Sequence, residues 1–419
     1  MNATTAAPRE RLGLWSLALA NGISQTGNSM TTLAIPWFVL ATTGSASRTG
    51  IAGAVVALSP VVAGLIAGPI VDRLGFRATS IISDALSGVT VVLIPTFYLL
   101  DWLTYWQLLI LIFLGAFFDV PGSAARGALV PALARRAGTP LERANSVMQL
   151  SNRLSDSVVA PLLAGVLIAA LGAVEVLYVD AGTFGVSILI VALFIARPPA
   201  SATGDPDAAE QGEAERFIDN VLAGFRFVVR DPVLQTMLPA AILFNFVGTA
   251  YGAVLLPVYV RSEYDSAAYF GVLVTALGIG MLVGILLFGA IGHRARRYGI
   301  FLGGFALAVA ATWLFALAAS LPTDLVTLFC LGLGVGPLTP LLQTLVQLRA
   351  PEQMLGRVIS AIFTLFTVAT PLGALAGGLA VDAFGLRAAL LLSAALMSMV
   401  PLWLALSPRA RAAAPAFES

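Results

Sequence analysis

The sequence predicts an all-α membrane protein with twelve transmembrane helices, arranged as two six-helix halves related by pseudo-symmetry. The chain has 419 residues, of which 58% are hydrophobic and only 11% are charged, whereas a soluble protein carries roughly 25% charged residues. Its apolar residues form twelve runs, each long enough for the roughly 20 residues that a spanning helix needs. A polar segment rich in Pro, Ala and acidic residues divides these runs into six and six.

Each apolar run predicts one membrane-spanning helix. The first and fifth runs are long and contain polar residues, which favours a position lining a cavity over one facing lipid. The runs cover residues 13–42, 48–71, 78–100, 105–126, 143–171, 174–196, 232–260, 268–291, 298–319, 324–348, 356–381 and 387–407.

The segment between the sixth and seventh runs predicts a cytoplasmic linker. Residues 197–215 have no apolar period, which is typical of a flexible chain. In residues 217–231, apolar side chains recur at helical spacing with Arg226 and Arg230 opposite them, which predicts an amphipathic helix on the membrane surface. We therefore divide the chain into an N-terminal half (1–196), a linker (197–231) and a C-terminal half (232–419).

The basic residues predict how the chain is oriented in the membrane. All 23 are arginine, because the sequence contains no lysine. With the N-terminus inside, 19 of the 23 fall on predicted cytoplasmic segments, including Arg126 after the fourth run. Cytoplasmic loops are enriched in basic residues. Both termini are therefore predicted to be cytoplasmic, and the protein is expected in the bacterial inner membrane.

Several kinds of chemistry are excluded by composition. A P-loop ATPase and a Schiff-base enzyme each need a lysine, and this chain has none. The single histidine, His293, lies in a loop among arginines, and the single cysteine, Cys330, rules out an internal disulfide. No nucleophile–base pair or metal-ligand cluster is present in the sequence. We therefore predict no enzyme activity, no catalytic or metal-binding residues and no cofactor, and the net charge of +1 does not suggest nucleic acid as a partner.

A short charged turn, Gly68-Pro-Ile-Val-Asp72-Arg73-Leu-Gly75-Phe-Arg77, joins the second and third runs. Gly68 lets two helices approach closely, and Gly75 supplies a turn geometry that a side chain resists. Asp72 lies at a helix end, where it can meet an arginine or the positive N-terminus of another helix. On its own the segment is equally consistent with a turn whose arginines only set orientation.

The two halves carry matching signals. The Gly68-x-x-x-Asp72-Arg73 spacing has a degenerate echo in Gly289-x-x-x-His293-Arg294, after the second run of its own half. Matched six-helix halves joined by a long linker are typical of a secondary transporter with its binding site between them near the middle of the membrane.

A series of motifs identifies the family that this chain resembles. In chain order they are Gly27-Asn28, Ala34-Ile-Pro36-Trp37, Gly68 to Arg77, Asp84, Ala125-Arg126-x-Ala128-Leu-Val-Pro131, Arg143-Ala-Asn145, Asp180-Ala-x-x-Phe184, Gly224 to Pro232, Gln347-x-x-x-Pro351-Glu352 and Gly356-Arg357-Val358. Together they resemble the major facilitator superfamily over nearly the whole chain. The closest likeness is to the drug–proton antiporter branch, which includes bacterial macrolide exporters and the enterobactin exporter.

The resemblance implies a mechanism of alternating access, in which the two halves rock about a central cavity. It also implies that the loop carrying Asp72 helps close the cytoplasmic side by engaging the start of the eleventh helix. Ala160-Pro161-x-x-Ala164-Gly165 has alanine for glycine twice relative to the family's antiporter pattern, which weakens the expectation of antiport. Asn28 stands where many relatives have an acid, which removes one candidate proton carrier. The expected cytoplasmic gate residues are Gly68, Asp72, Arg73, Gly75, Arg77, Arg126 and Arg357.

Acidic residues in apolar runs are the candidates for proton coupling, because each costs at least about 2.5–3.5 kcal/mol to place in a membrane. Asp119 lies midway along the fourth run, seven residues before Arg126. Asp156 lies three residues after Arg153, a spacing at which the two can neutralise each other. We prefer Asp119 as the proton carrier for that reason. Static salt bridges that lock the fourth and fifth helices are the alternative. Five acids were considered: Asp84, Asp119, Asp156, Glu175 and Asp180. The proton-coupling candidates are Asp84, Asp119 and Asp156, together with Arg153. Glu175 suits a solvated loop, and Asp180 suits a helix-positioning role.

Uncharged polar and aromatic residues supply candidates for a substrate cavity. Asn21, Gln25 and Asn28 are spaced about one turn apart and share a face of the first helix. Amides that only hydrogen-bond helices together are the competing interpretation, and the phenylalanines equally suit lipid-facing or core positions. The candidates are Asn21, Gln25, Asn28, Asn152, Phe244, Asn245, Tyr251, Gln343, Gln347, Phe363 and Phe366.

The sequence therefore predicts a secondary transporter that exports amphipathic small molecules, such as drugs, antibiotics or siderophores, in exchange for protons. A nutrient importer or facilitator on the same scaffold, and a membrane sensor that transports nothing, are the alternatives. The expected partners are the lipid bilayer, a small amphipathic substrate and protons, and a monomer is expected. The few membrane-embedded charges argue against a strongly charged substrate.

Overall fold

A computed structural model describes residues 8–195, 222–291, 296–317, 320–351 and 354–406, and all regular structure in these residues is helical. The helices are α1 (Pro8–Thr43), α2 (Ala46–Leu74), α3 (Phe76–Leu99), α4 (Tyr105–Arg136), α5 (Leu141–Leu154), α6 (Ala160–Leu171), α7 (Ala173–Phe194), α8 (222–228), α9 (Pro232–Ala250), α10 (Leu256–Glu263), α11 (Ala267–Ile291), α12 (Arg297–Leu317), α13 (Leu321–Val335), α14 (Leu338–Arg349), α15 (Leu355–Phe384) and α16 (Leu386–Leu406).

The predicted membrane helices are present. Among the described residues, eleven helical stretches are long and apolar enough to cross a membrane, and they correspond to the second to twelfth predicted runs. The first predicted run forms α1, which is 36 residues long. Its apolar character is diluted by polar residues such as Asn21, Gln25 and Asn28, which the sequence had placed on one face.

Two of the spans are interrupted by a π-helical turn, which the sequence analysis did not predict. Residues Ser155–Val159 separate α5 from α6, and residues Tyr251–Leu255 separate α9 from α10. A proline follows each turn, Pro161 in one case and Pro257 in the other. Proline has no N–H to donate and clashes with the carbonyl four residues earlier. In both spans that carbonyl lies inside the π turn, where the wider winding accommodates the proline ring.

The fourth helix is longer than predicted. The apolar run was ended at its first arginine, residue 126, but α4 continues to Arg136. The additional residues are mostly Ala, Leu and Arg, which are strong helix formers. This extension places Arg126 inside the helix rather than on a cytoplasmic segment, which corrects the prediction made for that residue.

The junctions between helices confirm two local predictions. Gly75 lies between α2 and α3 with φ of 75°, a left-handed conformation that favours glycine. Pro232 opens α9, and the carboxylate of Asp231 accepts hydrogen bonds from the N–H groups of Val233 and Leu234 at the start of that helix. The same carboxylate binds Arg349 at the end of α14, with 2.6 Å between Oδ2 and Nε.

The chain divides into two compact units. The first comprises residues 1–38 and 55–208, and the second comprises residues 39–54 and 209–419. In the first unit α3 packs against α4 and α7, and in the second unit α11 and α12 pack against α13. The predicted amphipathic segment is helical over 222–228, where Gly224 and Val228 are buried. Gly224 lies against the backbone of Arg357 in α15. Residues 197–221 of the predicted linker lie outside the described residues.

Candidate functional site

The first unit is organised around one buried arginine. Arg126 on α4 is 1% exposed, and its guanidinium is 2.7 Å from Oδ1 of Asp84 on α3. It also donates to Oδ1 of Asn21 on α1 at 3.2 Å and lies 3.5 Å from Oδ1 of Asp119 on its own helix. The spacing of seven residues correctly predicted that Asp119 and Arg126 share a face. Arg126, which was predicted to be a gate residue, has its side chain buried between α1, α3 and α4.

The arginine is outnumbered by carboxylates. Asp84 is fully buried and accepts a second hydrogen bond from Ser187 on α7 at 2.7 Å. Asp180, also on α7, is fully buried and close enough to interact electrostatically with both Asp84 and Asp119. Two carboxylates therefore share one guanidinium, and the third lies close to both of them. Because buried charges need a partner or must be neutralised, the cluster is suited to holding at least one proton.

Asp180 is held by hydroxyl groups rather than by an arginine. Thr31 on α1 donates to its Oδ2, and Thr183 on α7 donates to its Oδ1. Gly27 lies directly opposite, and a Cβ at that position would meet the Asp180 carboxylate and the Thr183 hydroxyl. The Gly27-Asn28 motif thus contributes the space that the carboxylate occupies, and the helix-positioning role expected of Asp180 is compatible with this geometry.

A cavity of about 240 Å³ lies beside this cluster within the first unit. Asp119 reaches its wall and is 20% exposed. The amide nitrogen of Asn28 is buried and has no hydrogen-bond partner among the described residues. The polar wall consists of Gln25, Asn28, Ser29, Thr31, Thr32 and Asp119, and the apolar wall of Ile35, Val56, Pro60, Val91, Ile94, Ile112, Gly115, Ala116 and Val120.

Asp156 lies in the π turn that follows α5, and two residues of the cavity wall donate hydrogen bonds to it. Gln25 donates to its Oδ1 at 2.8 Å and Ser29 donates to the same oxygen at 2.6 Å. Arg153 does not neutralise Asp156, which corrects the prediction. Among the described residues, no ion pair joins Arg153 to Asp156, and Arg153 is exposed. The π turn begins between them, at Ser155, so their spacing is not that of a regular α-helix.

Asp119, rather than Asp156, is the acid with an arginine neighbour, which is the opposite of the prediction. The arginine neighbour belongs to Asp119, whereas Asp156 is bound by an amide and a hydroxyl. Asn21 and Asn152, both predicted cavity residues, instead hydrogen-bond each other at 2.6 Å and extend the Arg126 cluster to α5. The interpretation of amides as contacts between helices holds for this pair.

The cavity candidates of the second unit are dispersed. Asn245 accepts a hydrogen bond from Thr370 at 2.8 Å, and Tyr251 is buried with no partner for its hydroxyl among the described residues. Phe244 packs edge-to-face on Phe305, in the hydrophobic core. The remaining candidates differ in exposure: Phe366 packs at the edge of that core, Phe363 is 68% exposed, and Gln343 and Gln347 are exposed.

The predicted gate is described only in part. Arg77 donates to the carbonyls of Ile195 and Ala192 at 2.7 and 2.8 Å, so it caps the C-terminal end of α7. Arg73 and Arg357 are exposed. The surroundings of Gly68, the side chain of Asp72, and the echo residues His293 and Arg294 lie outside the described residues.

Two acidic residues of the second unit were missed. Asp324 on α13 is fully buried between two tyrosine hydroxyls. Asp382 near the end of α15 accepts a hydrogen bond from the N–H of Ser47 at 3.0 Å, at the start of α2. Both stand at the ends of apolar runs, where an acid is normally solvated. The sequence shows Asp324 only as an acid at the start of a long apolar run. That pattern could have marked it as a candidate, but it does not predict the two tyrosine partners.

Comparison with known proteins gives consistent results. The family model described as Major Facilitator Superfamily matches residues 17–372 and 240–419. The chain is 35% identical over 369 residues to the multidrug efflux pump Tap of Mycolicibacterium fortuitum, covering 87% of this chain and 88% of Tap. It is 34% identical over 248 residues to the enterobactin exporter EntS of Salmonella typhimurium, covering 58% of this chain and 55% of EntS. Among solved structures, a bacterial homolog of the human lysosomal transporter Spinster aligns with a TM-score of 0.71 at 14% identity, covering 98% of each chain.

Proposed function

Because the chain belongs to the Major Facilitator Superfamily, we propose that it exports amphipathic small molecules from the cell in exchange for protons. The observation that carries this proposal is the Arg126 cluster, in which Asp84 and Asp119 share one guanidinium beside a cavity and Asp180 lies close to both carboxylates. The exchange uses alternating access of two halves, 1–196 and 232–419, joined by the linker 197–231. The protein is a multi-pass membrane transporter and not an enzyme.

The direction of transport is supported by the relatives. Tap is named a multidrug efflux pump and EntS an enterobactin exporter. The match to Tap extends over 87% of this chain. Export of drugs, antibiotics or siderophores is therefore preferred over import of a nutrient.

The nature of the substrate is supported by the cavity wall. One side presents amide and hydroxyl groups from α1, and the other presents aliphatic side chains from α2, α3 and α4. A wall of mainly apolar groups with a few polar ones is typical of small-molecule sites. With a volume of about 240 Å³, the cavity takes one part of an amphipathic molecule.

The proton is assigned to Asp119 within the cluster. Asp84 is closer to Arg126 and is sealed from the cavity, whereas Asp119 reaches the cavity wall at a longer distance from the guanidinium. When Asp119 is ionised, Arg126 is shared between two carboxylates. When Asp119 is protonated, Arg126 is left to Asp84, so a single proton changes the charge that a substrate meets.

The location and gating complete the proposal. We place the protein in the bacterial inner membrane as a monomer with both termini in the cytoplasm. The turn with Asp72 and Gly75 helps close the cytoplasmic side, with Arg357 at the start of α15 as its expected partner. Support for this comes from the left-handed backbone of Gly75, which fixes a tight turn.

The test is efflux of a lipophilic cationic dye from pump-deficient cells that express the protein. We expect efflux by the wild type, its collapse on adding a protonophore, and its loss in Asp119→Asn. Glu175→Gln is the matched control, because it also neutralises an acid of the first unit but lies exposed at the start of α7. Asp156→Asn, measured alongside, is expected to retain protonophore-sensitive efflux.

Other results would redirect the proposal. Loss of coupling in Asp156→Asn but not in Asp119→Asn would move the proton to the π turn. Accumulation of substrate driven by the inward proton gradient would indicate the importer. Binding of the dye without flux would indicate the sensor.

A further inference from the structure

The second unit contains a buried acidic site that the proposed mechanism does not use. Asp324 lies in the first turn of α13 and is 0% exposed. Tyr259 in the last turn of α10 and Tyr264 just after that helix both donate to its Oδ2, each at 2.7 Å. The rings of the two tyrosines pack edge-to-face, Tyr259 lies against Phe315, and Tyr264 lies against Tyr269.

The two oxygens of this carboxylate have different surroundings. Both hydroxyls converge on Oδ2, whereas Oδ1 is buried and has no hydrogen-bond partner among the described residues. A buried polar atom without a partner costs about 1–3 kcal/mol. The arrangement is therefore not that of a carboxylate fully satisfied as an anion.

The charges facing Asp324 do not compensate it. Helix α11, which packs on α13, contributes the phenol of Tyr269 and carries no acidic or basic residue. Helix α12, which also packs on α13, carries Arg297 at its opposite end. Near the tyrosines, α10 carries Arg261 and Glu263, and of these the negative Glu263 acts on Asp324. Asp265 follows Tyr264 in the chain.

The helix start at α13 favours the anion, but weakly. Ser320 caps this helix, and an acid in the first turn gains about 0.3–1 kcal/mol from the helix dipole. Burying a charge without a counter-ion costs several kcal/mol. Because the second effect is the larger, binding a proton is the favourable way to neutralise the site.

We propose that Asp324, with Tyr259 and Tyr264, forms a second proton-binding site. The coupling of this site to export rests on the proposed function. With the orientation predicted from the arginines, the site lies at the outer end of the membrane, so the proton comes from the external water. It forms an O–H bond on the carboxylate and leaves Asp324 neutral.

Protonation changes what holds the end of α10. Tyr259 and Tyr264 donate to Oδ2 of the anion, and a proton bound on the unpartnered Oδ1 leaves Oδ2 as a carbonyl oxygen that still accepts both hydrogen bonds. Those two bonds become weaker, because a hydrogen bond to an ionised acceptor is stronger than one to a neutral acceptor. Helix α10 is short, follows the π turn Tyr251–Leu255 and has Pro257 in its first turn. Proton binding therefore weakens the hydrogen bonds that hold the end of α10, a helix that a π turn separates from α9.

The test is infrared difference spectroscopy on the purified full-length protein between acidic and alkaline pH. Protonated carboxylic acids have a C=O stretch that is separated from the bands of ionised carboxylates. We expect a pH-dependent band that is lost in Asp324→Asn and kept in Asp265→Asn, a control that neutralises a nearby acid outside the tyrosine cluster. In the double variant Tyr259→Phe/Tyr264→Phe, the band should move to higher frequency because its hydrogen bonds are removed. This second variant keeps the test decisive if Asp324→Asn does not fold.

The contrary results are distinct from failure of the proposed function. A wild-type spectrum without such a band, or a band unchanged in Asp324→Asn or in the tyrosine double variant, would overturn the site. Dye efflux in Asp324→Asn should fall at least tenfold, and unchanged efflux would overturn its coupling role. Absence of dye efflux by the wild type, with the Asp324 band present, would count against the export proposal alone.

Discussion

At the scale of single residues, the first unit depends on how one guanidinium is satisfied. Arg126 uses separate nitrogens for Asp84, Asn21 and Asp119. The planar fork of arginine suits several acceptors at once, whereas lysine presents a single compact charge. Removal of one partner of a buried ion pair leaves the other charge uncompensated, which is more costly than the pair itself is stabilising.

We expect Arg126→Ala to destabilise the protein by about 3–5 kcal/mol, because Asp84 would remain buried without a counter-ion. Thermal unfolding in detergent, followed by circular dichroism, measures the change. Arg153→Ala is the matched control on a membrane helix, and because Arg153 is exposed its effect should stay within about 0.5 kcal/mol. Equal melting temperatures for the two variants would contradict the structural role of the cluster.

The sequence revealed part of this cluster and misplaced the rest. Asp84 and Asp119 stood out because acids inside apolar runs are rare, and that reasoning needs no knowledge of neighbours. Arg126 was assigned to a loop because hydropathy alone does not distinguish an arginine at a membrane edge from one neutralised by an acid of another helix. The partner, Asp84, is 42 residues away in the chain, so only the packing of α3 on α4 shows the pairing.

At the scale of helices, glycine determines how closely α11 and α13 approach. A Cβ at Gly280 would meet the backbone of Phe329, and one at Gly332 would meet the backbone of Leu277 and Met281. Small residues at such interfaces let helices pack closely in membranes. Gly280 and Gly332 therefore bring the backbones of α11 and α13 into direct contact.

We expect Gly332→Ala to cost about 1–3 kcal/mol, because the added methyl group must push backbone atoms of α11 away from α13. Gly303→Ala on α12 is the matched control, since a Cβ there meets nothing within 4 Å and alanine is the better helix former. Both are compared by thermal unfolding in the same detergent. A Gly332→Ala protein as stable as the wild type would show that this interface can relax.

The helix interruptions could not be anticipated in the same way. Pro36, Pro95 and Pro121 are accommodated inside helices without a π turn, so a proline within a span does not by itself predict one. Which response a proline receives depends on the neighbours that pack around it. Helix bounds were predicted well where a glycine or a cap ends the element, as at Gly75.

At the scale of the whole molecule, the twelve-helix prediction rests on two kinds of signal. Hydropathy supports eleven spans in the described residues. The first helix is more polar, and it is counted as the twelfth span because it is 36 residues long and precedes the others in the chain. The arginine distribution then predicts the orientation, and the bias remains large when Arg126 is removed from the cytoplasmic set.

Cysteine labelling in intact cells tests the orientation. On a Cys330→Ala background, we expect Leu100→Cys, between the third and fourth spans, to react with a membrane-impermeant maleimide. Arg136→Cys, at the end of α4, should react only after the membrane is permeabilised. Both parent residues are exposed, so each is a control for the reactivity of the other. The reverse pattern would invert the predicted orientation.

The two π turns have a consequence for comparing this chain with its relatives. A π turn takes up one more residue than the α-helical turn it replaces, and each residue rotates a helix by about 100°. A homologue whose fifth or seventh span is uninterrupted should therefore align with a one-residue gap at 155–159 or 251–255. If that gap is placed elsewhere, every side chain between the two positions is assigned to the wrong face, and a cavity residue in one protein is equated with a lipid-facing residue in the other.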